Sequence, residues 1–306
     1  MPPRSFARQN KAMLNLKIKK TSRNISCAVA ACVFAVGMVL AAIFDFKISA
    51  FLTNFTEEPI SITVPIFALV FEVIGEWPSV ILGAFCSAVI MRACTEVKKP
   101  LGYAGVAGFA ALSVALMFFG AKETVEDICG DFGVQRLMIA VPIAMVLSLA
   151  LFITVLMLPE KTADRLLVPA IVCAAMLLLV MVGVQGLKIL WGRVRMRELV
   201  MLGDASLFSP WYKMHPFSGY HSFPSGHTAN AVSLALLPLF YNKKVYKRFP
   251  NAKKATYIAV AVWSVFMALT RLLVGAHYFS DVLVGALVAF IAVMLGDFFM
   301  QKIREA

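Results

Sequence analysis

Residues 137–158 read LMIAVPIAMVLSLALFITVLML, twenty-two positions without a charge. At about 1.5 Å of rise per residue a helix of that length covers roughly 33 Å, enough to cross the hydrocarbon core of a bilayer. The run does not alternate with period two, so it is not a strand of a membrane barrel. Similar runs recur at roughly 25–46, 77–94, 101–121, 166–188, 227–241, 256–270 and 280–299. Over the whole chain 60% of the 306 residues are apolar and only 15% are charged, where a soluble domain carries about 25%. The expected fold is all-α: a polytopic transmembrane helix bundle of about eight spans. The first run follows a basic start, as in a signal peptide. It has no convincing small-residue cleavage site, and it reads as a retained anchor.

Charge orients the bundle. The net charge is +12, and the Lys and Arg residues cluster in short segments between the apolar runs, as the positive-inside rule expects. Residues 1–24 contain Arg4, Arg8, Lys11, Lys17, Lys19, Lys20 and Arg23 and no acid, so they form a basic cytoplasmic N-terminus. The loop carrying Lys243, Lys244, Lys247, Arg248, Lys253 and Lys254 is cytoplasmic by the same rule. The loops at 189–226 and 271–279 then lie outside. The chain divides into this N-terminus, N-terminal transmembrane helices over 25–165, and a C-terminal helical region over 166–306. The segment 47–76 is expected to be interfacial, which makes Glu72 and Glu76 ordinary surface acids. If 60–94 instead crossed twice, everything downstream would reverse.

Basic composition also raises nucleic acid as a partner, but no basic stripe is interleaved with aromatics as single-strand binders require. Membrane lipids are the expected neighbours. Five of the six cysteines sit in or beside apolar runs, and only Cys129 falls in a polar loop. No C-x-x-C pattern appears, so neither a disulfide framework nor a metal site is expected.

Three segments at the ends of spans hold side chains suited to chemistry. The first is Lys188-Ile-Leu-Trp-Gly-Arg193-Val-Arg195. Lys188 and Arg195 are seven apart and share a face if the helix continues outward. They suit a phosphate, Lys as a point charge and Arg as a fork, or they are simply basic residues at a helix end. The second is Phe223-Pro224-Ser225-Gly226-His227-Thr228. It opens a span, and a helix N-terminus there presents free N–H groups to an anion. Ser225 can cap that helix or donate to an oxyanion, and Gly226 permits close approach of a ligand. The bland reading is a capped helix start with an incidental histidine. The third is Thr270-Arg271-Leu-Leu-Val-Gly275-Ala-His277-Tyr-Phe-Ser280-Asp281. Asp281 is four residues from His277, within reach of one ring nitrogen, which leaves the other free to attack. Continuous helix would turn Arg271 away from His277, so a break near Gly275 is expected. Otherwise His277 is interfacial and Asp281 a helix cap.

Taken together, Lys-x6-Arg, then Pro-Ser-Gly-His, then Arg-x5-His-x3-Asp resembles the tripartite signature of the type 2 phosphatidic acid phosphatase (PAP2) superfamily, in its membrane branch. The resemblance covers residues 188–281 and implies a PAP2-type helical core in the C-terminal half. It implies that Lys188, Arg195 and Arg271 bind the phosphoryl oxygens, with Ser225 and the backbone at Gly226. His277 becomes phosphohistidine, Asp281 orients it, and His227 protonates the leaving oxygen and later activates water. No cofactor and no metal are implied. Met196 replaces the proline that usually follows the arginine, and Thr270 replaces a serine. His215 and His221 could touch a headgroup or a metal, or be merely solvated.

The expected activity is that of an integral-membrane phosphatase. It acts on a lipid phosphate or lipid diphosphate, such as undecaprenyl diphosphate, at the outer face of a bacterial cell membrane. A phosphotransferase or sugar phosphatase of the same superfamily is the nearest alternative. A transporter with a basic vestibule is the alternative from another class, and it calls for charges buried in mid-span, which are few in the last four spans.

Overall fold

The computed structural model describes residues 28–29, 31–129 and 134–305. The basic N-terminus over 1–24 and the loop acid Asp131 lie outside the described residues. In chain order the helices are α1 (Ala31–Leu52), α2 (Ile66–Ile74), α3 (Trp77–Thr95), α4 (Pro100–Cys129), α5 (Val134–Leu156), α6 (Glu160–Trp191), α7 (Met196–Leu202), α8 (Gly226–Ser233), α9 (Lys243–Arg248), α10 (Ala252–Leu273) and α11 (Phe279–Glu305). Two-residue strands β1 (Thr56–Glu57) and β2 (Ile60–Ser61) pair antiparallel after α1. Short 3₁₀ helices occupy Ala205–Leu207 and Leu234–Phe240.

Among the described residues seven stretches are long and apolar enough to cross a membrane: α1, α2 with α3, α4, α5, α6, α10 and α11. The protein is a multi-pass integral membrane protein. The expected span at 227–241 is not a single long helix. It is α8 followed at once by the 3₁₀ helix Leu234–Phe240, with Pro238 inside the latter. Residues in a 3₁₀ helix rise about 2 Å each, so this short piece keeps pace with α11 beside it. Ser225 N–H donates to Asp281 O (2.9 Å) at one end, and Arg304 donates to Leu239 O (3.4 Å) at the other.

The stretch from Ile66 to Thr95 is apolar but not continuous. Gly75 ends α2, and Pro78 stands in the first turn of α3, where its missing N–H costs nothing. The chain bends between them at Gly75 and Glu76.

The main core lies between α3, α6, α8 and α11, around Val89, Cys173, Val180, Ala229, Leu236, Ala289 and Ala292. Small residues let the backbones close in, as membrane helices require when lipid offers no hydrophobic drive. Gly285 is the extreme case: a Cβ there would fall 2.3 Å from Ser225 O. That contact fixes the start of α8 against the start of α11. By contrast α5 presents Met145, Val146 and Leu149 outward, exposed as in a lipid-facing helix.

The two ends of the bundle differ in charge. At one end Arg92 donates to Val155 O and Leu158 O, both at 2.6 Å, and Lys253 pairs with Asp297 at 2.9 Å. The loops with Lys98, Lys99, Lys161 and Lys243–Arg248 lie at this end. The residues with candidate chemistry gather at the other.

Candidate active site

Lys188 sits in the last turn of α6, which Gly192 ends with φ 50° and an N–H donated to Lys188 O. The helix therefore stops before Arg195, and the shared-face argument for Lys188 and Arg195 does not hold. Arg195 instead lies on extended chain, φ −78° and ψ 155°, as the residue before α7. The turn at Gly192 still brings the Arg195 segment beside the third motif, where Arg197 N–H donates to Gly275 O (2.9 Å), and the charges of Arg195 and Lys188 both bear on His277. Lys188 Nζ lies 3.7 Å from where a Cβ on Gly226 would stand. Neither cationic head makes a side-chain hydrogen bond or ion pair among the described residues, and Arg195 Nε is buried without a partner. Buried polar groups ordinarily are partnered, so the orphaned Arg195 Nε points to an anion.

Ser225 precedes α8. Its hydroxyl accepts from Thr228 N–H (3.4 Å) and from the Thr228 hydroxyl (3.0 Å), and its own N–H is committed to Asp281 O. The first-turn N–H groups of Gly226 and His227 remain, beside Lys188, as the donors a helix start leaves open. Ser225 thus positions the turn, and its side chain acts as a cap.

The break at Gly275 is present, with φ 67°. It folds the chain back so that Ala276 and His277 N–H both donate to Arg271 O, at 3.1 and 3.3 Å. Arg271, at the end of α10, is buried. Its Nη1 lies 3.3 Å from Glu72 Oε1, and its Nη2 donates to Ala68 O (3.4 Å). Both partners come from α2.

His277 is buried, 4% exposed. Its Nδ1 faces Ser222 O at 2.6 Å and Asp281 Oδ2 at 3.6 Å. Both are acceptors, so Nδ1 carries the proton and Nε2 keeps its lone pair. The short bond is made by the Ser222 carbonyl, with the Asp281 carboxylate standing behind it. Burial pushes the His277 pKa down to about 3, Asp281 works against that, and Arg195 and Lys188 add to it. The imidazole is neutral at any physiological pH.

Asp281 is itself held from three sides. Ser222 Oγ donates to Oδ2 (2.6 Å), Tyr278 N–H donates to Oδ2 (2.9 Å), and Arg193 Nη1 donates to Oδ1 (2.7 Å). Arg193 is fully buried. It also donates to Asp45 Oδ2 (2.8 Å), Ser280 Oγ (2.8 Å) and Ser209 O (2.7 Å), and it lies 4.0 Å from the centre of the Tyr278 ring. Asp45 comes from α1 and accepts from Ser280 N–H (3.0 Å) at the start of α11. A buried carboxylate–arginine–carboxylate chain thus runs from the first helix to His277.

His227, in the first turn of α8, has Nδ1 at 3.1 Å from Glu76 Oε1 and Nε2 at 3.3 Å from Glu72 O. Glu72 also pairs with Arg197 (2.8 Å). Glu72 and Glu76 are therefore not free surface acids; they border the candidate site. The bend between α2 and α3 turns both inward, which composition alone does not show. Arg193, Asp45 and Ser222 were likewise not singled out by motif reading. For Asp45 a signal existed: an acid in an apolar run demands a partner.

His215 Nε2 lies 2.9 Å from Ser209 Oγ, which makes it a loop brace, and His221 is exposed. Met196, the substitute for proline, is buried with Val194, Leu199 and Tyr278. Thr270 donates to Met267 O (2.8 Å) within its own helix. No group of three metal-binding side chains occurs among the described residues.

Residues 168–303 match the PAP2 superfamily. Phosphatidylglycerophosphatase B of Haemophilus influenzae is 32% identical over 97 residues, 31% of this chain and 39% of that protein. The Escherichia coli protein of that name is 33% identical over 97 residues, 32% of this chain and 34% of its own length. Lipid A 1-phosphatase of Rhizobium etli is 39% identical over 79 residues, 24% of this chain and 28% of that protein. Each match spans less than half of the relative. No solved structure matches the chain.

Proposed function

We propose, from the match of residues 168–303 to the PAP2 superfamily, that the protein removes phosphate from a membrane lipid through a phosphohistidine at His277. The observation that carries the reading is the neutral His277, its Nδ1 committed to Ser222 O, under the charges of Arg195, whose Nε has no partner, and of Lys188, beside the start of α8. The phosphoryl oxygens bind Lys188, Arg195, Arg271 and the N–H groups of Gly226 and His227. His277 Nε2 attacks phosphorus while Nδ1–H stays on Ser222 O. The developing imidazolium is stabilised by Asp281, which Arg193 holds in place. His227 gives a proton to the leaving oxygen, then takes one from the water that opens the phosphoenzyme. Phosphoryl transfer rests on positioning and charge stabilisation, and three cations with a helix N-terminus supply both without a metal ion.

A site at the end of a helix bundle suits a headgroup whose tails remain in the bilayer. The names of the relatives favour a glycerophosphate or a lipid A-type phosphate over a soluble sugar phosphate. The basic loops lie at the opposite end of the bundle, and by the positive-inside rule this supports a site that faces outward. Purified protein given phosphatidylglycerol phosphate, phosphatidate, lipid A phosphate, undecaprenyl diphosphate and a sugar phosphate is expected to release phosphate from a lipid with EDTA present. Release from the sugar phosphate alone, or only with an added divalent ion, contradicts the proposal.

A further inference from the structure

We propose that Glu76, in the helical region before the PAP2 domain, is a positioning residue that holds His227 as the acid of the reaction. This rests on the assignment of His227 as the proton donor.

The argument starts from what each ring nitrogen faces. Nδ1 faces the Glu76 carboxylate (3.1 Å) and Nε2 faces the Glu72 carbonyl (3.3 Å). Each partner can only accept, so a neutral imidazole satisfies one of them and an imidazolium both. The charges around the ring are Glu76, Glu72 and Arg271. The two acids favour a charged ring, while burial and Arg271 oppose it. A phosphate dianion bound at Arg271 cancels that opposing cation. Substrate binding therefore shifts the ring toward its charged form, in which both nitrogens donate, to Glu76 and to the Glu72 carbonyl.

Glu76 is built for one position. It follows Gly75 at the bend, where a Cβ would lie 2.5 Å from Phe71 O and 2.4 Å from Met267 Cε. Asn230 Nδ2 donates to the same Oε1 (3.3 Å). Asn230 stands three residues after His227 on α8, so one face of one helix grips the carboxylate twice. Glu72 cannot take this part, because its carboxylate is engaged by Arg197 and Arg271. The Glu76 and His227 side chains are 29% and 22% exposed, so water can restore the proton. In the first step Nε2–H breaks and O–H forms on the leaving group, which keeps the P–O electron pair as the His277 Nε2–P bond forms. Nδ1–H stays on Glu76, which remains ionised. In the second step Nε2 takes the proton from the attacking water. The protons balance without Glu76 gaining or losing one.

The test is leaving-group dependence. Single-turnover phosphoenzyme formation is measured for a short-chain phosphatidate in micelles and for p-nitrophenyl phosphate. The full chain carries Glu76→Gln, Glu76→Asp, His227→Ala, or Glu76→Gln with His227→Ala. Glu76→Gln is expected to slow the phosphatidate reaction about tenfold to a hundredfold, part of the roughly 10²–10⁴ that general acid catalysis supplies. The nitrophenyl ester should change less than about threefold, since nitrophenolate leaves without help. Glu76→Asp should recover part of the loss, and in the His227→Ala background Glu76→Gln should cost nothing more. The basic limb of the phosphatidate pH profile should move to lower pH in Glu76→Gln. Equal slowing of both esters by Glu76→Gln, while His227→Ala discriminates between them, overturns the role of Glu76 alone. Equal slowing of both by His227→Ala overturns the acid assignment and this inference with it. If Glu76→Gln does not fold, Glu76→Asp carries the test: slowing that is the same for both esters sinks the proposal.

Discussion

Replacing Arg193 with Met removes the cation between two buried carboxylates. The side chain is fully buried, with ion pairs to Asp281 at 2.7 Å and to Asp45 at 2.8 Å. Methionine fills much of the volume, so the dominant loss is electrostatic. Breaking a buried ion pair by removing one partner costs about 3–5 kcal/mol, because a charge is left uncompensated. Here two are left. Two such carboxylates cannot both stay ionised without a counter-charge, so one takes a proton and the cost stays near that range. At about 2–4 °C per kcal/mol for a chain of this order, the midpoint of thermal unfolding in detergent should fall by roughly 6–20 °C. The deficit should shrink as the pH is lowered, since protonation relieves the repulsion in the variant. Lys253→Met is the control. Its pair with Asp297 is 40% and 27% exposed, and such a pair contributes about 1 kcal/mol or less. If Arg193→Met melts as close to wild type as Lys253→Met does, the buried chain from α1 to His277 does not hold the site together.

The remaining predictions concern pH, packing and inhibition. His277, held down to about 3 by burial against an ordinary value near 6.5, binds fewer protons folded than unfolded between those values. It therefore contributes stability that is present above about pH 6.5 and lost as pH falls toward 3. Wild type should lose more stability than His277→Ala between pH 6.5 and 4, measured by urea unfolding in micelles. Gly285→Ala puts a methyl 2.3 Å from Ser225 O. It should cut activity at least tenfold with raised KM for lipid phosphate, whereas Gly108→Ala, with nothing within 4 Å, should be silent in both assays. Vanadate, as a phosphate mimic, should inhibit competitively, and EDTA should leave turnover unchanged.

The apolar runs were legible because a bilayer imposes length and composition on every crossing. The break at Gly275 was legible too, since Arg271 and His277 cannot share a site along an unbroken helix. The path of Lys188 and Arg195 was not. Heptad spacing suggests one helix face, whereas Gly192 takes a left-handed turn that the spacing does not record. The span at 227–241 misled for a related reason: a 3₁₀ segment covers the same depth in fewer residues. Glu72, Glu76 and Asp45 escaped because their partners are 125 to 235 positions distant in sequence. Local pattern cannot choose among such pairings. Ser222 escaped because it acts on His277 through its backbone, and a main-chain acceptor has no side-chain signature.

The central claim is the nucleophile. Wild-type protein mixed with ³²P-labelled phosphatidate and quenched in milliseconds should carry label that is stable to base and lost in mild acid, the behaviour of a phosphorus–nitrogen bond. The label should map to the peptide containing His277, and His277→Ala should show neither label nor turnover. Undiminished labelling of folded His277→Ala, or label on any other residue in wild type, contradicts the account.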